Sequence, residues 1–138
     1  MRKIIDALEK LYLIIPDFNC NHCHKCCGPI VWFEPEEIMI RDYLKKNNIQ
    51  RIVWTKEEFK NNKMLCPYLK NDRCCMYPVR PIVCRLQGNI PDLKCKSKNN
   101  NKFISKNELG EIQKHFLDLI RQTNGMKKFY STLILNND

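Results

Sequence analysis

Nine cysteines stand in this chain of 138 residues, and their spacing is the first feature that could do chemistry. Cys20-x2-Cys23-x2-Cys26 sets three thiols at i, i+3 and i+6, which lets one loop wrap a single inorganic unit while backbone N–H groups turn toward the sulfurs. A zinc knuckle ordinarily takes one close C-x2-C pair and draws its other two ligands from far away, so three close thiolates lean toward iron–sulfur chemistry. The run continues Cys26-Cys27-Gly28-Pro29. In bacterial ferredoxins the fourth cysteine comes three residues later and directly precedes proline, whereas Cys27 adjoins Cys26. Neighbouring side chains diverge, so Cys26 and Cys27 are expected to serve different metal atoms or two nearby sites.

The second half adds Cys66-Pro67-Tyr68-Leu69, then Cys74-Cys75-Met76-Tyr77-Pro78-Val79-Arg80-Pro81-Ile82-Val83-Cys84-Arg85, and finally Cys95. Together these residues resemble the YkgJ-type CxxCxxCC cysteine-cluster family of zinc- or iron-chelating domains. Its signature is CxxCxxCC, a C-P-aromatic-L step, C-x-x-Y-x-x-R-P-x-x-C-R and a late cysteine. All four parts are present, from Cys20 to Cys95, over more than half of the chain. The resemblance implies chelation by Cys20, Cys23, Cys26, Cys27, Cys66, Cys74, Cys84 and Cys95. It brings no settled activity. A similar module occurs in flagellin lysine methylases, but this chain is too short for the remaining parts of such an enzyme, so a stand-alone enzyme is not expected.

Cys75 directly follows Cys74 and lies outside the signature, and adjacent side chains seldom reach one metal atom, so it is expected to be a bystander. Arg80 and Arg85 flank Cys84. They are either ordinary salt-bridge partners or sit behind the thiolates, where they offset negative charge or hold an anion beside the centre. Tyr77 is expected to pack beneath the loop. His22 and His24 alternate with the cysteines and could replace one as a ligand, but with so many thiols present they are expected to be solvated. His115 is expected on a helix surface.

The bulk composition sets the context. The length fits one domain spanning residues 1–138, and 43% apolar content is enough for a core, so metal is not the only reason the chain folds. The longest early apolar run, Leu11 to Ile15, ends at Pro16 and Asp17, so no membrane span is expected. Asp6, Glu9 and Lys10 interrupt any apolar core of a signal peptide. A cytoplasmic location follows as the expectation, and in a reducing compartment clustered cysteines point to metal or redox chemistry, not to a disulfide framework. The formal charge of +9 is offset by bound thiolates and is weak evidence for a nucleic-acid partner.

The elements that must position these residues have their own patterns. Ile4, Ile5, Leu8, Leu11, Tyr12 and Ile15 make one stripe of an N-terminal helix over residues 2–15, stopped by Pro16. Ile30 to Phe33 reads as a short extended piece. Glu34-Pro35-Glu36-Glu37 then opens a helix to about Lys46, with proline in the first turn and acids at the positive end. A short helix is expected after Thr55. Residues 66–95 hold five cysteines and four of the seven prolines, so they read as loops and turns that ligation must hold. Lys94 to Lys106 reads as an exposed basic loop. Ser105-Lys106-Asn107-Glu108 is a capping box ahead of the stripe Leu109, Ile112, Phe116, Leu119 and Ile120, with Gly125 as the stop. Phe129 to Leu135 is a last helix or strand.

The expected fold is α+β and mostly helical: a small domain whose loop-rich metal–thiolate centre, residues 17–95, packs on amphipathic helices, with a helical C-terminal segment, 104–138. Two function classes are open. One is an iron–sulfur protein, its cluster of the [4Fe-4S] type, acting in electron transfer or redox sensing, or as accessory to a modifying or cluster-handling enzyme, with a protein partner. The other is a zinc-stapled module that binds RNA or a protein. Apart from Phe103 its basic tract lacks the interleaved aromatics of a single-strand platform. Phosphate-binding glycine loops, H-E-x-x-H and the C-x3-C-x2-C of radical enzymes are absent from the sequence.

Overall fold

The computed structural model describes residues 1–18, 24, 26–95, 102–123 and 128–134. Helix α1, Arg2–Leu13, buries Ile5, Leu8, Leu11 and Tyr12, the stripe its sequence repeats. Each such burial contributes about 1.5–3 kcal/mol. Helix α2, Glu34–Lys46, follows directly from strand β1, Val31–Phe33, and packs against α1. Helix α3, Lys56–Asn61, has a capping box at Thr55 and Glu58 and buries Phe59 completely. Helix α5, Lys106–Arg121, begins at the Ser105–Glu108 capping box and turns Ile112, Leu119 and Ile120 inward against α1 and α2. Gly125, its expected stop, lies outside the described residues.

The cysteine segment is built from small pieces. Strands β2, Leu69–Lys70, and β3, Arg73–Cys74, form a hairpin whose central Asn71 and Asp72 have φ of 51° and 63°. That left-handed pair is the turn whose twist suits a two-residue hairpin, and Asn and Asp tolerate it. A 3-10 turn at Tyr77–Val79, the five-residue helix α4, Ile82–Leu86, and a second 3-10 turn at Pro91–Leu93 complete the segment. The tail is a strand. Phe129–Ser131, β4, pairs antiparallel with β1, and an isolated parallel bridge joins Trp54 to Leu133. The α+β, mostly helical expectation holds, with sheet pieces joining distant parts of the chain.

Two glutamates at the start of α2 are not on the surface. Glu36 and Glu37 are each 1% exposed. Glu37 accepts hydrogen bonds from Trp32 Nε1 at 3.0 Å, Arg41 Nε at 3.2 Å and Arg51 Nη1 at 2.6 Å, so β1 and the 51–54 segment are tied to α2 through one carboxylate. Glu36 accepts from the Tyr12 hydroxyl of α1 and, at 2.6 Å, from the backbone N–H of Ile82 at the start of α4. Leu8, Leu11, Trp32, Ile40, Tyr68 and Met76 belong to one apolar cluster that runs from the helices under the cysteine segment.

Candidate metal centre

Six of the eight cysteines that match the signature line one cavity of about 470 Å3: Cys26, Cys27, Cys66, Cys74, Cys84 and Cys95. Cys20, Cys23 and His22 lie outside the described residues. Local devices bring several of the six there. Cys66 is held by its backbone N–H, which donates to the Cys27 carbonyl at 3.2 Å, and the N–H of Tyr68 lies where it favours the Cys66 thiolate. Cys74 stands opposite Leu69 in the hairpin, and the N–H of Met76 favours its thiolate in the same way. Cys84 sits on α4, whose first N–H is pinned by Glu36. Cys75 lies on the same hairpin but does not line the cavity.

Cys26 and Cys27 depart from the expectation that neighbours diverge. Both face the cavity, and their thiols hydrogen-bond to each other. Alternation of side chains belongs to extended backbone, whereas here the Cys27 N–H closes a turn on the His24 carbonyl at 3.1 Å. His24 is a second departure. Its side chain is 13% exposed, not solvated, and its Nδ1 lies 3.8 Å from Cys27 Sγ. Tyr77 is a third, since it is 48% exposed instead of buried beneath the loop. Arg80 covers its ring at 3.8 Å, and the aromatic that does pack under the site is Tyr68, which is fully buried and accepts from the Ile52 N–H. His115 is on the surface of α5, 59% exposed.

The family model "CxxCxxCC: Putative zinc- or iron-chelating domain" matches residues 19–115, more than half of the chain. The chain belongs to this family. No curated protein and no solved structure is significantly similar to it. The match covers the CxxCxxCC run, the hairpin, α4, Cys95 and the first part of α5, and so includes every cysteine that lines the cavity.

The donor chemistry fits a cation. Among the described residues no three His, Cys, Asp or Glu side chains already stand at ion-holding spacing, yet the thiols are close enough to oppose one another's ionisation. Cys27 is held far above the ordinary thiol range by its hydrogen bond with Cys26, then by burial, then by the nearby charge of Cys26, Cys66 and Cys84. Burial pushes Cys66 up to about 11, and Cys74 and Cys84 also rise, chiefly through burial. Buried thiols that cannot ionise together without help become ligands once a cation supplies the missing charge.

Arg80 and Arg85 both line the cavity. The charge of Arg80 favours the thiolate at Cys74 and at Cys84, while its guanidinium also donates to the Tyr77 carbonyl at 3.0 Å and faces Asp17 at 3.5 Å. Arg85 donates Nε to the Arg80 carbonyl and Nη2 to the Pro78 carbonyl, each at 2.9 Å, with its plane 3.7 Å from the centre of the Tyr12 ring. Arg85 is thereby a clasp that holds the 78–80 turn on α1. Sequence reasoning named His24 as a possible ligand but expected it to be solvated, and it missed the buried role of Glu36, for which a Glu one residue past a first-turn proline is the signal that stood there.

Proposed function

We propose that the chain holds an iron–sulfur cluster of the [4Fe-4S] type in this cavity and serves in electron transfer, or as accessory to a modifying or cluster-handling enzyme. The observation that carries the reading is the convergence of Cys26 and Cys27, the end of the CxxCxxCC run, on a cavity shared with Cys66, Cys74, Cys84 and Cys95. A [4Fe-4S] cluster takes four of the eight family thiols, one on each iron, and Cys20 and Cys23 stand among the candidates in this reading. A bound cluster supplies one-electron chemistry whose potential depends on hydrogen bonds to sulfur, local charge and burial. The chain provides all three levers. N–H groups of Tyr68 and Met76 favour the thiolates of Cys66 and Cys74, Arg80 adds positive charge beside Cys74 and Cys84, and Phe18, Ile30, Leu69 and Met76 give the cavity apolar walls. The partner in this reading is a redox protein or an enzyme that the cavity mouth meets.

Oxygen-free purification followed by iron, zinc and acid-labile sulfide analysis tests it. Iron with equimolar sulfide and a broad visible absorbance is the expected result. Stoichiometric zinc with no sulfide replaces this function by the zinc-stapled binding module.

A further inference from the structure

His24 lies outside the cysteine signature, yet its ring is turned into the cavity wall. Its backbone adopts a φ of 63°, a left-handed conformation uncommon for a residue with a side chain and tolerated best by Asn, Asp and His. The turn that this conformation starts closes between the Cys27 N–H and the His24 carbonyl, and it brings Nδ1 to 3.8 Å from Cys27 Sγ. Two ligands of one tetrahedral zinc, an imidazole nitrogen at about 2.0–2.1 Å and a thiolate at about 2.3 Å, stand roughly 3.6 Å apart. The observed separation is close to that of a ligand pair.

The other side of the ring is occupied as well. Asp72, at the tip of the β2–β3 hairpin and itself left-handed with φ 63°, places a carboxylate oxygen 3.7 Å from Nε2. That is longer than a hydrogen bond, but the Asp72 side chain is 92% exposed and free of packing that would stop it closing the gap. A neutral imidazole has one N–H. If the carboxylate side takes it, Nδ1 presents a lone pair toward the Cys27 sulfur, which accepts the proton of a neutral thiol and, once that proton has left, is open to a cation. Carboxylate, then imidazole, then metal is the usual order in which a histidine ligand is oriented.

We propose that His24 is a metal ligand, bound through Nδ1 to the same metal atom as Cys27 and oriented by Asp72 through Nε2. The centre is then a mixed cysteine–histidine site. The inference rests on the reading of this cavity as a metal centre; because each iron of a [4Fe-4S] cluster takes a single protein ligand, the atom shared by Cys27 and His24 is a mononuclear zinc or iron apart from the irons of such a cluster.

X-ray absorption at the edge of whichever metal the anaerobically purified full chain carries reads the ligand directly. The wild type is expected to show a nitrogen scatterer at about 2.0–2.1 Å beside the sulfur shell. His24→Ala should lose that scatterer, and His22→Ala should keep it. His24→Cys restores a donor at the same place, so it should retain metal with a sulfur-only shell even where His24→Ala is too loose to hold any. Asp72→Asn should keep the nitrogen scatterer and weaken metal retention against a competing chelator by about tenfold or more. A sulfur-only shell in the wild type, or a nitrogen scatterer that survives His24→Cys, overturns the assignment of His24 while leaving the metal centre standing. A wild-type protein without any bound metal overturns both.

Discussion

The helices and the cysteine segment solve the same problem by different means. Helices α1, α2 and α5 bury regular stripes, Ile5, Leu8 and Leu11 facing Ile40, Ile112 and Leu119, and none of their residues needs an unusual backbone conformation. Burial of that kind holds itself together. The cysteine segment runs through two-residue strands, a five-residue helix and two 3-10 turns, and it uses left-handed backbone at His24, Asn71 and Asp72. It also gathers thiols whose burial opposes ionisation. One region is stable through its core, while the other gathers thiols that, in the proposed reading, a bound cation holds. Between them stands Glu36, which accepts from Tyr12 on the helical side and from Ile82 on the cysteine side.

The sharpest way to break this contrast is to remove the metal. Binding free energies of structural thiolate sites are on the order of 10 kcal/mol, and they act as folding free energy for the segment that supplies the ligands. Chelation, or Cys84→Ser, should therefore abolish amide-exchange protection across 66–95 while most protection in α1, α2 and α5 survives. Simultaneous loss in both regions would show that the helices also depend on the centre.

The converse experiment attacks the core. Leu8 is fully buried, and Leu8→Ala should cost about 2–5 kcal/mol of stability. Metal content per folded molecule should not change, because no described cavity-lining residue lies on α1. Metal loss at temperatures where α1 remains folded would contradict this separation.

The junction makes a pH-dependent prediction. Burial raises the Glu36 carboxyl from 4.5 to about 7, against the hydrogen bonds from Tyr12 and Ile82 and the charge of Arg85. A carboxyl whose folded pKa is raised binds its proton more tightly in the native state. Its contribution is present in full below about 4.5 and is lost as pH rises to about 7. Wild type should thus lose roughly 3 kcal/mol relative to Glu36→Gln across that window, and the difference should be flat above it. Denaturant unfolding of both proteins at matched pH checks the sign; a difference that moves the other way removes Glu36 as a neutral, buried junction.

The smallest expected effect belongs to Cys75. It lies on the hairpin without lining the cavity, so Cys75→Ser should keep full metal content and shift the melting temperature little. The measurement needs oxygen-free conditions, since a spare thiol beside the centre can oxidise and imitate a structural defect. If Cys75→Ser strips the metal while Cys95→Ser does not, the late cysteine is the bystander.

Much of the local structure was legible in the sequence, because it depends on near neighbours. Pro35 among acidic residues opened α2 at Glu34, the Ser105–Glu108 box opened α5, and the α1 stripe was visible as a repeat. The cysteine spacings marked the ligand candidates and the family in the same way, since a binding loop writes its geometry into short intervals. What the spacing could not carry was direction. Adjacent Cys26 and Cys27 converge because a turn, not a strand, carries them, and turns with left-handed His24 have no fixed signature.

Only the tertiary structure decided the long-range facts. Ile30 donates to Thr132 Oγ1 across 102 residues, and the tail became a strand because β1 offered it an edge. Glu36 and Glu37 look like solvated acids at a positive helix end, which is what that position favours in isolation. They are buried because Tyr12, Ile82, Trp32 and Arg51 arrive from four other parts of the chain with the donors that make burial tolerable. Local chemistry can name the residues that want a metal, whereas the meeting of segments distant in sequence determines which of them face one cavity.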